Sequence, residues 1–139
     1  ETDPTADVDG YDAANKLTIL AYAAFGQFLA VDKILVRGIR TLPEAALVDA
    51  RKEGRRARLV ASVRRGLGGH LEAQVTPRFV ADNSPFYGVE REYNAVLVQG
   101  PFSGLQTFIG RGAGAHPTGS AVLADVAEIA RFVAEKQSQ

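Results

Sequence analysis

Residues 58–80 read RLVASVRRGLGGHLEAQVTPRFV. Arg58–Arg64 has the aliphatic, β-branched content of a strand, and Gly66-Leu-Gly68-Gly69 supplies a turn. His70–Val80 then returns as the partner strand, interrupted at Pro77, which lacks the N–H a ladder needs. Downstream, Asn94–Gln99 (NAVLVQ) is a second strongly β-branched strand, and Gly100-Pro-Phe-Ser-Gly104 turns it into Leu105–Ile109. The antiparallel sheet comes from these two strand pairs.

Helices flank them. Thr41-Leu-Pro-Glu44 has the form of a capping box, with Pro43 where no helical donor is required, and opens a helix to about Glu53 that Gly54 closes. Val31–Ile39 alternates loosely, as a short strand or its approach. From Asp12 the segment DAANKLTILAYAAFGQF predicts a helix stopped at Gly26. After Lys16 apolar residues occupy every face of it, which predicts burial on nearly all sides. Glu1–Asp12 has Glu1, Asp3, Asp7, Asp9 and Asp12, with Pro4, Gly10 and no apolar period, and reads as irregular. The last helix, from about Thr118 to Lys136, has one apolar stripe at Val122, Val126, Ile129 and Val133. The fold class is α+β: a mixed, mainly antiparallel sheet with helices packed on one face.

Composition narrows the function classes. The chain has 139 residues, 46% of them hydrophobic and 23% charged, which suits one globular domain over residues 1–139. Sixteen basic and 16 acidic side chains give zero net charge, which argues against a whole-molecule grip on nucleic acid or an anionic membrane. Cysteine is absent, which excludes disulfides, thiolate metal sites and a cysteine nucleophile. A zinc site built on only His70 and His116 would need several carboxylates as well, so no metal is expected. The chain has no methionine, even at position 1, and is read as a piece of something longer. Glu1–Asp12 is not a signal peptide. The longest uncharged run, Leu17 to Val31, is 15 residues, short of the ~18–20 that span a bilayer.

Four features could carry chemistry. Asp12 and Lys16 stand at i, i+4 on one helix face, so they form either a surface ion pair or a working lysine beside carboxylates. Gly110-Arg-Gly112-Ala-Gly114-Ala115 satisfies G-x-G-x-x-A, but no strand follows to complete a βαβ unit. What remains is bare backbone near a helix N-terminus, where a ligand can come close, or a plain glycine turn. Arg51–Arg65 concentrates Arg51, Lys52, Arg55, Arg56, Arg58, Arg64 and Arg65 without interleaved aromatics, as a helix end and outward strand residues rather than a nucleic-acid patch. His70 reads as solvated, and His116 lies beside the glycine loop. No Ser or Thr has a His–acid arrangement suggesting a triad.

ETDPTADVDGYDAANKLTILA closely resembles the start of the catalytic domain of homoserine dehydrogenase, in which an acidic run precedes a D-x-x-x-K helix. The resemblance continues through NAVLVQG and ends in GRGAGAHPTGSAVLADV, similar to that family's closing glycine loop and last helix. It covers nearly the whole chain, with residues 27–93 similar mostly in pattern.

The resemblance implies a reversible NADP- or NAD-dependent hydride transfer between L-aspartate 4-semialdehyde and L-homoserine, on the route to threonine, methionine and isoleucine. It implies that Lys16 is the catalytic proton donor. Asp12 beside it positions the lysine and the substrate hydroxyl. Glu1 and Asp7 face the substrate, Glu1 at its amino group. Gly114, with Gly112 near it, meets the cofactor. It further implies a cytoplasmic homodimer and the α+β sheet that follows the nucleotide-binding domain in glyceraldehyde-3-phosphate-dehydrogenase-like dehydrogenases. That nucleotide-binding domain lies outside these residues, so the 139-residue piece alone is expected neither to bind NAD(P)H tightly nor to turn over. The competing reading is a non-enzymatic dimerisation module.

Overall fold

The computed structural model describes residues 4–137. The chain divides into two compact units, one through Tyr87 and one from Gly88 onward. The architecture is α+β, as expected, but the strands form two separate sheets, one in each unit.

In the first unit, helix α1 (Thr5–Asp9) and helix α2 (Tyr11–Phe25) precede strand β1 (Leu35–Val36), helix α3 (Glu44–Lys52) and strands β2 (Arg56–Arg65) and β3 (Leu71–Val80). The sheet order is β1-β3-β2. β2 and β3 form an antiparallel hairpin from Arg56↔Val80 to Arg65↔Leu71, and β1 adds in parallel through Leu35↔Gln74 and Val36↔Val75.

The core lies between α2 and one sheet face. Ala14, Leu17 and Ala21 are its buried stripe, packed with Leu29, Ile34 and Val75 against Leu59, Ala61, Val63, Leu71 and Ala73. The spacing i, i+3, i+7 puts them on one side of the helix, and two alanines let the backbone come close to the sheet. Gly10 makes the corner between α1 and α2. Its φ of 89° is left-handed, and a Cβ there would press on Val75 Cγ1 at 3.1 Å and Val36 Cγ1 at 3.2 Å. Both conformation and space call for glycine.

Several sequence expectations are corrected. The entry segment is not wholly irregular, because α1 forms over Thr5–Asp9. Nor is α2 buried all round: Tyr11, Ile19, Leu20 and Tyr22 are exposed, Ile19 to 70%, since the sheet covers a single stripe. The capping box does not form. Pro43 occupies the N-cap position without a side-chain cap, and the Thr41 hydroxyl instead donates to the Gly38 carbonyl at 2.8 Å. Pro77 does not interrupt its strand, which pairs opposite Leu59 without a break. The Val31–Ile39 strand shrinks to β1, between 3₁₀ turns at Val31–Lys33 and Ile39–Thr41.

In the second unit, strands β4 (Tyr93–Gly100) and β5 (Gly104–Arg111) form an antiparallel hairpin with Gly100↔Gly104 at its closed end. Helix α4 spans Ala115–Gln137. It begins three residues before the expected Thr118 because Pro117 falls in the first turn, where a missing N–H costs nothing. Its stripe of Val122, Val126, Ile129 and Val133 is exposed.

Candidate functional site

The first turns of α2 carry Asp12 and Lys16. Lys16 Nζ donates to Asp12 Oδ2 at 2.6 Å, a short charge-assisted bond across one helical turn. At about 100° per residue the pair points away from the Ala14–Leu17–Ala21 stripe, onto the face opposite the sheet. Lys16 is accordingly 58% exposed and Asp12 42%, flanked by exposed Ile19 and Leu20. Among the described residues the lysine is held by one carboxylate, that of Asp12. Its ammonium and the paired carboxylate are open to whatever lies against that face.

The remaining acidic residues are distributed by the α1–α2 corner. Asp7 is exposed on α1. Asp9, on the same helix, accepts from Arg40 Nε at 2.8 Å, a partnership the sequence reading did not include. Glu1 and Asp3 lie outside the described residues. Among the described residues no group of three or more His, Asp or Glu side chains is placed to hold a metal ion, and no helix is long and apolar enough to cross a membrane.

Gly112 and Gly114 belong to the second unit. Gly112 N–H donates to the Glu92 carbonyl at 2.7 Å, and a Cβ on Gly112 would collide with the Asn94 side-chain amide. Gly114 has φ 113°, and its carbonyl accepts from Thr118 N–H at 3.1 Å as α4 begins. The loop is therefore a bare-backbone approach to a helix N-terminus. Arg111, just before it, lies over the Tyr93 ring and donates to the Tyr93 hydroxyl at 3.3 Å. The Tyr93 hydrogen bond, followed by the Tyr93 and Glu92 charges, raises its pKa above the ordinary arginine value, so it is a cation at every working pH. His116 is exposed on α4, and His70 Nε2 lies 3.6 Å from Glu72 Oε1.

The basic run is dispersed rather than gathered. Lys52 pairs with Asp49 at 3.0 Å and Arg55 with Glu53 at 2.6 Å, whereas Arg64 pairs with Glu72 at 2.6 Å. Arg56 stacks on Tyr87 and Arg65 on Phe25. A shallow groove lined by Leu35, Ser62, Arg64, Glu72, Gln74 and Arg78 contains none of the expected site residues.

The homoserine dehydrogenase family profile matches residues 1–127. A homoserine dehydrogenase of Synechocystis is 40% identical over 136 residues, 96% of this chain and 31% of that protein. An NAD(+)-dependent homoserine dehydrogenase of Pseudomonas canavaninivorans is 33% identical over 99% of this chain and 39% of its own length. Among solved structures, a homoserine dehydrogenase of Thiobacillus denitrificans superposes with a TM-score of 0.87 at 36% identity, covering 96% of this chain and 31% of that one. A hyperthermophilic archaeal homoserine dehydrogenase in complex with NADPH gives 0.72 at 30% identity over 92% of this chain and 35% of that one. The chain thus spans between three-tenths and two-fifths of the relatives it matches.

Proposed function

The chain belongs to the homoserine dehydrogenase family, and from that premise we propose that residues 1–139 are the substrate-binding, catalytic and dimerising domain of such an enzyme. The reaction is the reversible interconversion of L-aspartate 4-semialdehyde and L-homoserine. The observation that carries the reading is the Lys16–Asp12 pair, joined at 2.6 Å on the open face of α2.

A nicotinamide cofactor, when bound, would supply or accept the hydride. Gly114 would meet it with side-chain-free backbone at the start of α4, with Gly112 shaping the loop before it, and the remaining contacts are assigned to the rest of the enzyme. Relatives named for NAD(+) and for NADPH support a nicotinamide without choosing between the two. As the aldehyde carbon is reduced, negative charge gathers on its oxygen. The Lys16 ammonium stabilises that charge and delivers the proton that completes the hydroxyl. In the oxidative direction the same nitrogen takes the hydroxyl proton back. Asp12 holds the lysine in place and helps position the substrate hydroxyl beside it. Glu1 is the counter-charge for the substrate α-ammonium, a pairing that strengthens when water is excluded, and Asp7 is a second acidic side chain facing the substrate. A cytoplasmic homodimer on the route to threonine, methionine and isoleucine completes the assignment.

The test is Lys16→Ala in the complete enzyme. Turnover is expected to fall by roughly 10²–10⁴-fold while sedimentation still finds a dimer. Unchanged turnover refutes the assignment and favours a non-enzymatic dimerisation module. A polypeptide of residues 1–139 alone is expected to oxidise no homoserine, and cofactor-dependent oxidation by it overturns that expectation.

A further inference from the structure

Helix α1 is only five residues long. It buries no side chain and has no side-chain cap at its N-terminus, and isolated helices under ~12–15 residues are marginal in water. Beyond its corner with α2 at Gly10, it is held by the turn that follows β1. Gly38 is buried, and a Cβ on it would run into the Val8 carbonyl oxygen and lie 2.5 Å from Asp9 Cα. Its φ of −76° and ψ of 172° suit any residue, so the requirement for glycine there is one of space. Two residues on, Arg40 Nε reaches Asp9 Oδ1 at 2.8 Å, with the aspartate side chain 33% exposed. The turn is itself fastened to the core. Arg37 N–H donates to the carbonyl of buried Val75 at 2.8 Å, and the Thr41 hydroxyl closes back on Gly38. Helix α2 has a different anchor, the stripe of Ala14, Leu17 and Ala21 against the sheet.

We infer that Gly38 and Arg40 are positioning residues for substrate binding: they seat α1, and with it Asp7, through an attachment separate from the one that seats Asp12 and Lys16. The inference rests on the proposed role of Asp7 as an acidic side chain facing the substrate. Because the turn holds α1 while α2 keeps its own stripe on the sheet, disturbing the turn weakens capture of homoserine more than it slows the proton transfer. Loss of binding energy common to ground and transition states appears as a raised KM with kcat kept.

The experiment is steady-state kinetics of the complete enzyme carrying Arg40→Ala, Asp9→Asn, both together, Arg40→Lys, Gly38→Ala or Asp7→Asn. Arg40→Ala and Asp9→Asn are each expected to raise the homoserine KM by about two- to fivefold, the range of one partly exposed ion pair. The double variant should do no more than either single one, as for two ends of one interaction. Arg40→Lys retains most of the affinity, kcat stays within about twofold, and the cofactor KM does not move. Gly38→Ala, which forces α1 off its seat, raises the homoserine KM further; if it fails to fold, the Arg40 and Asp9 variants decide. A fall in kcat with an unchanged homoserine KM, a parallel rise in cofactor KM, or additive Arg40 and Asp9 effects overturns the inference. An Asp7→Asn enzyme with unaltered homoserine KM removes the assignment beneath it, whereas persistence of turnover in Lys16→Ala removes the proposed activity itself.

Discussion

Arg58 holds the backbone of Tyr87: its Nη2 donates to the Tyr87 carbonyl at 2.8 Å while Nε donates to the neighbouring Phe86 carbonyl at 3.0 Å. One guanidinium thus satisfies two adjacent peptide oxygens, a geometry that depends on its rigid planar fork. Arg56 lies 4.4 Å over the Tyr87 ring and fixes the same residue from its side chain. The connection from β3 toward the second unit is pinned to the edge of β2.

Replacing that fork is expected to loosen residues 81–87. Arg58→Met should cost about 1.5–3 kcal/mol, the value of hydrogen bonds from a charged group, and speed limited proteolysis in this stretch. Arg58→Lys should recover little, since an ammonium has no matching fork. Equal denaturation midpoints for the wild type and Arg58→Met would count against the pinning role.

Val75 is fully buried at the centre of the first unit. Val75→Ala should destabilise by roughly 2 kcal/mol, the lost burial plus the residual cavity, seen as a lower urea midpoint with unchanged slope. A larger residue at Ala21, which is also fully buried, should cost about 1–3 kcal/mol by overpacking α2 against the sheet.

Asp12→Asn separates stability from chemistry. The pair is solvent-exposed, so its loss should change unfolding free energy by no more than ~0.5 kcal/mol. Turnover of the complete enzyme should nevertheless fall at least ~10-fold, less than the roughly 10²–10⁴-fold expected on losing the proton donor itself. A variant that loses stability and keeps its rate would show the pair to be structural.

Gly114→Ala probes the loop before α4. At φ 113° an alanine is strained by roughly 1–3 kcal/mol, and the loop should shift to relieve it. The expected reading is a raised KM for the nicotinamide cofactor with the homoserine KM held. Movement of the homoserine KM alone would argue that the loop serves the substrate.

Much of this was legible in the sequence, for identifiable reasons. Gly26 stops α2 in the left-handed conformation expected of it, and the β2–β3 hairpin follows the aliphatic pattern on either side of Gly66–Gly69. The Asp12–Lys16 contact follows from helical spacing alone. What stayed hidden depended on partners distant in the chain. Helix α1 has no apolar period because the Gly38–Arg40 turn, about thirty residues later, seats it. Thr41 had two competing acceptor and donor arrangements, and only the fold around Gly38 selects between them. The apolar residues around α2 signalled burial, but residue type does not say which stripe the sheet will take. The separation of the strands into two sheets was hidden likewise, since local pattern defines hairpins and not how they associate.

Pro77 has a consequence for the way these molecules keep apart. Arg37 N–H bonds to the Val75 carbonyl, so alternate peptide groups of β3 turn to the β1 side, and β1 ends at Val36 opposite Val75. The next such group is that of Pro77, which has no hydrogen to offer. A stray extended segment trying to lengthen the sheet along this margin meets a missing rung at its first free position, and the imino acid serves as a guard against fibrillar growth.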